Sequence, residues 1–353
     1  MGQYHRSVAL QHYMIWNPVL SLVQGLPRML VLPSSYHRVA VVLAPRLGDS
    51  LLLMVLAQNL RLAGKEVVVF GNYPRLLAPW FPDFDLRPAL EEATATQSLQ
   101  EFELVLHMHV GWPLELRKHH ARVVYYDEIM AVTGRGIVKL DQIALFCKRH
   151  LGLGDASTDN GLRDIERMQY RRYANRVVIH PSSTSELRRW APERFMELGL
   201  ALKQKGFEPV FIVGPEEYDK WAWIKPYGLE VPEFPSLAAI ASFIHASGWL
   251  IGNESGIGHL ASNLGIPTLW FAGRGKRARM WRPAWSPARV IYPWFLPTAT
   301  LRDRFWREVI PVSRVMAAFA KLRKTAQKQL RPPLPAIPPV ATITSDRTVP
   351  CES

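Results

Sequence analysis

The chain has 353 residues, of which 48% are hydrophobic and 21% are charged. These values exclude a mostly disordered chain and leave room for two ordinary domains, each with its own core. The formal net charge of +13 favours an anionic partner, such as nucleic acid, phospholipid head groups or a phosphorylated substrate. The two cysteines, Cys147 and Cys351, indicate neither a disulfide framework nor a metal cluster, which fits a reducing compartment.

The first 37 residues lack the pattern of a signal peptide, and we expect none. Residues 13–33 are fairly apolar, but Pro18 and Pro27 interrupt them, so we expect no single membrane-spanning helix there. Two alternatives stay open for this segment. It lies on a membrane surface with Trp16 near the head groups, or it packs on the domain or is loosely ordered.

From Arg38 onward, apolar runs typical of buried strands alternate with segments typical of helices. This alternation predicts parallel sheets flanked by helices, and a polar stretch near the middle of the chain divides it into two such sets. We therefore predict an N-terminal extension (1–37), an N-terminal α/β domain (38–155), a linker (156–174), a C-terminal α/β domain (175–325) and a Pro-rich disordered tail (326–353).

The first candidate site follows the first predicted strand, at the position where open α/β sheets bind ligands. Residues 46–49 read Arg-Leu-Gly-Asp, and Asp49 could act as a general base that takes a proton from an attacking hydroxyl. Arg46 is a candidate acceptor-side or auxiliary group. The alternative for Asp49 is structural, because an aspartate directly before a helix is a favoured N-cap.

Two further candidates follow strands of the second set. Ser182 and Ser183, with Arg188 nearby, could hold a diphosphate through hydroxyl and charge-assisted hydrogen bonds, although a solvated basic turn is the alternative. Glu217 ends the next strand, where a carboxylate often accepts hydrogen bonds from a ribose.

The fourth candidate is the segment 252–267, which lies between two predicted strands and contains a short predicted helix. Ser255 is a good N-cap, and Gly256 and Gly258 let a ligand approach the backbone closely. Unpaired N–H groups and the helix dipole favour a phosphate at such a helix N-terminus. A plain strand-to-helix turn is the alternative, since short glycine motifs often match by accident.

Two weaker patterns favour structural interpretations. The acidic pair Asp83 and Asp85 has metal-binding spacing, but no other ligands cluster nearby, and we interpret it as a surface turn. Residues 274–282 mix basic and aromatic side chains as single-strand nucleic-acid binders do, yet they follow the fourth candidate closely. We expect residues 274–282 to line the cleft that contains the fourth candidate, or to face an anionic membrane.

Taken in this order, the four candidates resemble the heptosyltransferases of lipopolysaccharide core synthesis, glycosyltransferase family 9. The resemblance runs from about residue 38 to residue 322. Its motifs are Arg-Leu-Gly-Asp at 46–49, His-Pro through Arg-Arg-Trp at 180–190, Gly-Pro-Glu-Glu at 214–217 and Ser-Gly-Ile-Gly-His-Leu-Ala at 255–261. Glu254 stands where the family usually has aspartate, and Arg188 stands where it usually has lysine.

The resemblance implies an α/β fold of the GT-B type, in which two Rossmann-like domains with parallel sheets face each other across a cleft. By the same analogy, residues 38–155 form the acceptor-side domain and residues 175–325 form the nucleotide-sugar-binding domain. It also implies direct, inverting transfer from a nucleotide sugar, without a bound metal or another cofactor. By analogy, the base is Asp49, the diphosphate is held by Ser182, Ser183, Arg188, Ser255, Gly256 and Gly258, the ribose by Glu217, and the donor sugar by Glu254 and His259.

The function that we expect is transfer of a heptose from ADP-heptose onto a lipopolysaccharide core or a related lipid-linked glycan. We expect the protein in the cytoplasm, with peripheral contact at the inner face of the membrane, where its positive charge would help it find an anionic acceptor. The alternative is a non-catalytic nucleotide-sugar or anionic-glycan binding protein that has kept the fold. Nucleic-acid binding rests on charge alone, and we do not expect it.

Overall fold

We describe the protein from a computed structural model, which covers residues 36–133, 136–165, 169–183, 189–272, 279–293 and 297–329. Arg188, most of the predicted N-terminal extension and nearly all of the predicted tail lie outside the described residues. Within the described part of the chain, no helix combines the length and the apolar character needed to cross a membrane.

The first half of the chain forms a five-stranded sheet in which every pairing is parallel. Its strand order is β3-β2-β1-β4-β5. Strands β2 and β3 are added on one side of β1 and strands β4 and β5 on the other, so the change of direction in the strand order falls between β1 and β4. The strands are β1 (Arg38–Val42), β2 (Glu66–Phe70), β3 (Asp85–Arg87), β4 (Leu104–His107) and β5 (Val123–Tyr125).

The helices of this half are α1 (Leu47–Leu62), α2 (Asn72–Leu76), α3 (Ala95–Leu99), α4 (Tyr126–Thr133) and α5 (Lys139–His150). Helix α1 is central, since every residue from 49 to 60 is buried. A helix that is apolar on all sides needs partners all round. Helix α1 finds them in β2, in α5 and in a helix of the second half.

The second half repeats the design with a second parallel five-stranded sheet. Its strand order is β10-β9-β8-β6-β7, so that the change of direction falls between β6 and β8. The strands are β6 (Tyr173–His180), β7 (Glu208–Phe211), β8 (Ser247–Asn253), β9 (Thr268–Phe271) and β10 (Ala288–Ile291).

The helices of the second half are α6 (Pro192–Gln204), α7 (Tyr218–Trp221), α8 (Leu237–His245), α9 (Gly256–Asn263), α10 (Ala299–Val309) and α11 (Val312–Gln329). The core is rich in aromatic rings, and Trp190 stacks on Phe271 with ring centroids 4.7 Å apart. Truncating such a buried ring costs about 3–5 kcal/mol of stability. Because Trp190 N also donates to Asn253 Oδ1 at 3.0 Å, the core fixes the end of β8.

Asn160 joins the two halves between α1 and α9. Its side chain is fully buried, and Nδ2 donates to Leu51 O in α1 at 3.1 Å and to Asn263 Oδ1 in α9 at 2.8 Å. Asn263 Nδ2 donates back to Asn160 Oδ1 at 3.1 Å. Since buried amides must find partners, these bonds set the spacing of α1 and α9.

The structure differs from the sequence-based elements at several ends. Helix α1 begins at Leu47, whereas the N-cap alternative for Asp49 placed the start of the helix after that residue. Strand β3 begins at Asp85, inside the acidic pair that we assigned to a surface turn. The Asp85 carboxylate forms a salt bridge with Arg87, and the Asp83 carboxylate forms one with Arg61. Helix α11 continues to Gln329 and buries Ala326, beyond the predicted start of the tail.

Candidate functional site

Three of the four candidate segments follow central strands of the two sheets, whereas Glu217 follows β7 at the edge of the second sheet. Asp49 follows β1, and Ser182 follows β6. The segment from Glu254 to Gly258 follows β8, and both β6 and β8 flank the change of direction in the second sheet. In open parallel sheets, a crevice opens at such a change of direction and binds ligands.

Asp49 lies in the first turn of α1. The N-cap is Arg46, whose backbone is extended and whose side chain makes no capping bond, so the N-cap interpretation of Asp49 is wrong. The Asp49 side chain is only 12% exposed. Because the N-terminus of a helix favours negative charge, α1 itself stabilises this buried carboxylate.

The Asp49 carboxylate has a histidine partner that the sequence analysis missed. His109 Nε2 lies 3.5 Å from Asp49 Oδ2, and His109 Nδ1 bonds to Asp127 Oδ2 at 2.7 Å. Burial alone would lower the pKa of His109, but the two carboxylates more than offset it and raise the pKa to about 9. We call Asp49, His109 and Asp127 the Asp–His–Asp cluster.

The N-termini of α1 and α9 touch each other. A Cβ atom added to Gly48 would lie 2.9 Å from His259 Cδ2, and one added to Gly256 would lie 2.6 Å from Leu47 Cβ. His259 is buried, and this burial lowers its pKa to about 4, although the nearby Asp49 charge acts in the opposite direction. A neutral imidazole therefore lies between Asp49 and the second sheet at neutral pH.

Several buried polar atoms on the second-sheet side have no partner in the described part of the chain: Ser182 Oγ, Ser255 Oγ, His259 Nδ1 and Trp270 Nε1. Ser255 is the N-cap of α9 as predicted, but its side chain makes no capping bond. Trp270 packs on Gly258, where an added Cβ would lie 3.3 Å from Nε1. Buried polar groups normally find partners, so this cluster is suited to bind a polar ligand.

The remaining candidates hold the loops of the second sheet together. Ser183 Oγ donates to Glu254 O at 3.1 Å, which ties the loop after β6 to the loop after β8. Arg189 donates to Ser183 O at 2.7 Å and pairs with Glu217 Oε1 at 3.3 Å. Because the Ser183 hydroxyl donates within the protein, it does not offer its proton to a diphosphate in this arrangement.

Arg46 and Trp112 form an exposed rim beside the Asp–His–Asp cluster. The Arg46 guanidinium carbon lies 4.8 Å from the centroid of the Trp112 ring. The Trp112 ring lies 5.7 Å from that of His109. A cation over an exposed aromatic face suits a sugar ring that carries a negative charge. Among the described residues, no group of three or more His, Cys, Asp or Glu is arranged to hold a metal ion.

The profile of a family described as glycosyltransferase family 9 (heptosyltransferase) matches residues 107–284, about half of the chain. The chain belongs to glycosyltransferase family 9. Lipopolysaccharide heptosyltransferase 3 of Escherichia coli is 29% identical to this family 9 chain over 163 residues. That alignment covers 42% of this chain and 47% of the relative, so the match spans about half the length of the curated relative.

Solved structures of other proteins share the fold of this family 9 chain. A family 9 glycosyltransferase of Veillonella parvula aligns with a TM-score of 0.61 at 17% identity, covering 82% of this chain and 98% of the other. The E. coli heptosyltransferase WaaC, solved with ADP, aligns with a TM-score of 0.62 at 13% identity, covering 81% and 99%. The predicted GT-B fold of two parallel α/β sheets is therefore confirmed.

Proposed function

We propose that this chain is an inverting glycosyltransferase that moves a heptose from ADP-heptose onto a lipopolysaccharide core or a related lipid-linked glycan. Family membership and the E. coli relative support this proposal. One observation carries it furthest: α1 brings the Asp49 carboxylate to the N-terminus of α9, where buried polar side-chain atoms find no partner in the described ranges. A base thus adjoins a site suited to an anion.

The N-terminus of α9 is our proposed diphosphate site. Backbone N–H groups of its first turn have no partner within the helix, as at any helix N-terminus. Gly256 packs against Leu47 and Gly258 against Trp270, so the two glycines allow this end of α9 to lie close to its neighbours. Ser255 Oγ and Ser182 Oγ are buried and have no hydrogen-bond partner among the described residues, and they would donate to phosphate oxygens. Arg188, which lies outside the described residues, would add a positive charge.

The nucleoside and the sugar take the neighbouring positions in this proposal. Glu217 would accept hydrogen bonds from the ribose, and Arg189 holds its carboxylate at 3.3 Å. His259 and Glu254 would contact the donor sugar, since His259 lies against the first turn of α1 beside Asp49. Glu254 is one methylene longer than the aspartate usual in the family, so we expect it to influence the choice of donor.

The proposed reaction is a single displacement. Asp49 takes the proton of the acceptor hydroxyl while the acceptor oxygen bonds to the anomeric carbon, and the carbon–oxygen bond to the diphosphate breaks. The electron pair leaves with the diphosphate, where the helix N-terminus and the hydroxyl donors stabilise the charge that develops. One attack from the opposite face inverts the anomeric centre. This scheme assigns no step to a metal or a cofactor.

The acceptor in this proposal is an anionic, lipid-linked glycan. Arg46 would meet its charged group, and Trp112 would stack on a sugar ring beside it. The net charge of +13 would draw the protein to the anionic inner face of the cytoplasmic membrane. We propose a cytoplasmic protein with peripheral membrane contact and no role in nucleic-acid binding.

A thermal-shift panel tests the proposed donor. A ligand that binds only the folded protein raises Tm, by an amount that grows with its concentration over Kd. ADP-heptose should raise Tm clearly more than UDP-, GDP- or CDP-sugars at equal concentration. A larger shift with another nucleotide sugar would contradict ADP-heptose as the donor.

Ser255→Ala is expected to weaken ADP binding about 5- to 20-fold, because it removes a buried hydroxyl assigned to the diphosphate. The free energy of unfolding should change little, since Ser255 makes no capping bond. Ser236→Ala is the matched control, because Ser236 caps α8 and accepts from Ala239 N at 3.1 Å. Calorimetric titration and urea unfolding should show about 1 kcal/mol of lost stability and unchanged ADP affinity in this control. Unchanged ADP affinity in Ser255→Ala would remove Ser255 from the site.

A further inference from the structure

His109 is held between two carboxylates that come from different helices. Its Nδ1 bonds to Asp127 Oδ2 at 2.7 Å in the first turn of α4, and its Nε2 lies 3.5 Å from Asp49 Oδ2 in the first turn of α1. The His109 side chain is 20% exposed and that of Asp49 is 12% exposed. An imidazolium donates from both nitrogens, so it can satisfy both carboxylates at once.

We propose that His109 is a positioning residue for the Asp49 base, and that Asp127 orients His109 by accepting from its Nδ1. This inference rests on the proposed function, since it assumes that Asp49 receives the acceptor proton. The proposed scheme needs only Asp49, which leaves both His109 and Asp127 without a role until the cluster is considered.

The cluster divides the two oxygens of Asp49 between two tasks. His109 Nε2 lies 3.5 Å from Oδ2, within ion-pair distance but not in hydrogen-bond geometry, and we assign Oδ1 to take the proton of the acceptor hydroxyl. During transfer, the acceptor oxygen bonds to the anomeric carbon, the diphosphate leaves with the electron pair of the broken bond, and the proton moves to Asp49 Oδ1. His109 keeps its proton throughout, so its role is to orient the carboxylate.

The surroundings of His109 favour its charged form. Asp49 and Asp127 face it from α1 and α4. Within the described part of the chain, the ionisable groups near the Asp–His–Asp cluster include His107 on β4, with its ring 6.2 Å from that of His109, Arg46, which lies over Trp112, and His259 on α9, which interacts with Asp49. Burial lowers the pKa of His107, so it adds no charge at neutral pH. The pKa of His109 is raised to about 9, so the imidazolium persists below that pH and is lost as the pH rises through it.

Single variants separate positioning from substrate binding. His109→Gln keeps a side-chain donor but removes the charge, and it should lower kcat about 10- to 100-fold with the KM for ADP-heptose nearly unchanged. Above pH 9 the wild-type rate should fall as His109 loses its proton, and this basic limb should be absent from His109→Gln. His119→Gln is the matched control, because His119 also pairs with a carboxylate, Glu92, at 3.2 Å.

A double variant tests whether Asp127 acts through His109. Asp127→Asn alone should lower kcat about 3- to 10-fold, since the imidazolium loses its stronger partner. The double variant should be no slower than His109→Gln alone, because interacting residues are not additive. Additive losses, or an unchanged kcat in His109→Gln, would overturn the proposal.

An NMR titration of the histidine Cε1 signals supplies a readout that needs no turnover. His109 should titrate near pH 9 in the wild type and clearly lower in Asp127→Asn. If His109→Gln loses ADP binding through misfolding, Asp127→Asn decides: a shifted titration without a loss of kcat overturns the proposal. If the wild type transfers no sugar to truncated lipopolysaccharide cores, the proposed function fails. If the wild type is active and the variants keep its kcat, only the role of His109 is rejected.

Discussion

Replacing Asp49 with asparagine is expected to lower kcat for heptose transfer by about 10²- to 10⁴-fold, because a positioned base contributes that much to proton transfer. Asparagine has nearly the same shape as aspartate but cannot take the proton. The variant should bind ADP within about twofold of the wild type, since the donors assigned to the diphosphate lie on the second-sheet side. Steady-state kinetics and calorimetric titration with ADP measure the two effects separately.

Asp141→Asn is the matched control for this prediction. Asp141 lies in the first turn of α5, so it shares the helical position of Asp49, but its side chain is exposed. This control should keep both kcat and ADP affinity. Full activity in Asp49→Asn would remove Asp49 from the mechanism, and a parallel loss of ADP affinity would assign it to donor binding instead.

Gly256→Ala should separate the N-termini of α1 and α9. The added methyl group would lie 2.6 Å from Leu47 Cβ and 3.0 Å from Gly48 N, and a backbone atom cannot give way as a flexible side chain can. We expect a loss of about 1–3 kcal/mol in the free energy of unfolding from overpacking. Transfer should fall by at least about 10-fold, because a shift of about 1 Å in the reacting groups can cost 100-fold.

Gly154→Ala provides the comparison for Gly256→Ala. A Cβ at Gly154 would have no neighbour within 4 Å, so the same chemical change meets open space. In urea unfolding, the free energy of unfolding of Gly154→Ala should lie within about 0.5 kcal/mol of the wild-type value. Its transfer activity should equal that of the wild type. Wild-type stability and activity in Gly256→Ala would show that α1 and α9 do not need this close contact.

The alternation of strands and helices in the sequence predicted most of the fold. The two strands predicted on either side of the helix in segment 252–267 are present as β8 and β9, because a buried parallel strand needs a continuous apolar segment. Strand β3 escaped prediction because it is three residues long and carries two charged side chains. The predicted start of α1 was also wrong, since Leu47 and Gly48 carry no sequence signal that marks the start of a helix.

The sequence indicated the candidate site only in part. The motifs around Asp49 and Ser255 stand out because each combines small or charged residues after an apolar strand. His109 and Asp127 follow β4 and β5 and carry no motif, although their places after neighbouring parallel strands could have suggested that they meet. Trp270 resembles any buried aromatic residue in a strand, and only its unpartnered Nε1 distinguishes it.

Acceptor-dependent turnover by the wild-type protein tests the proposed heptose transfer most directly. The chain is incubated with ADP-heptose and a set of truncated lipopolysaccharide cores, and both the released ADP and the product mass are followed. We predict ADP release that requires an acceptor, together with a glycan heavier by one heptose of inverted anomeric configuration. Tight binding of ADP-heptose without ADP release on any core would contradict the account and indicate a binding protein that has kept the fold.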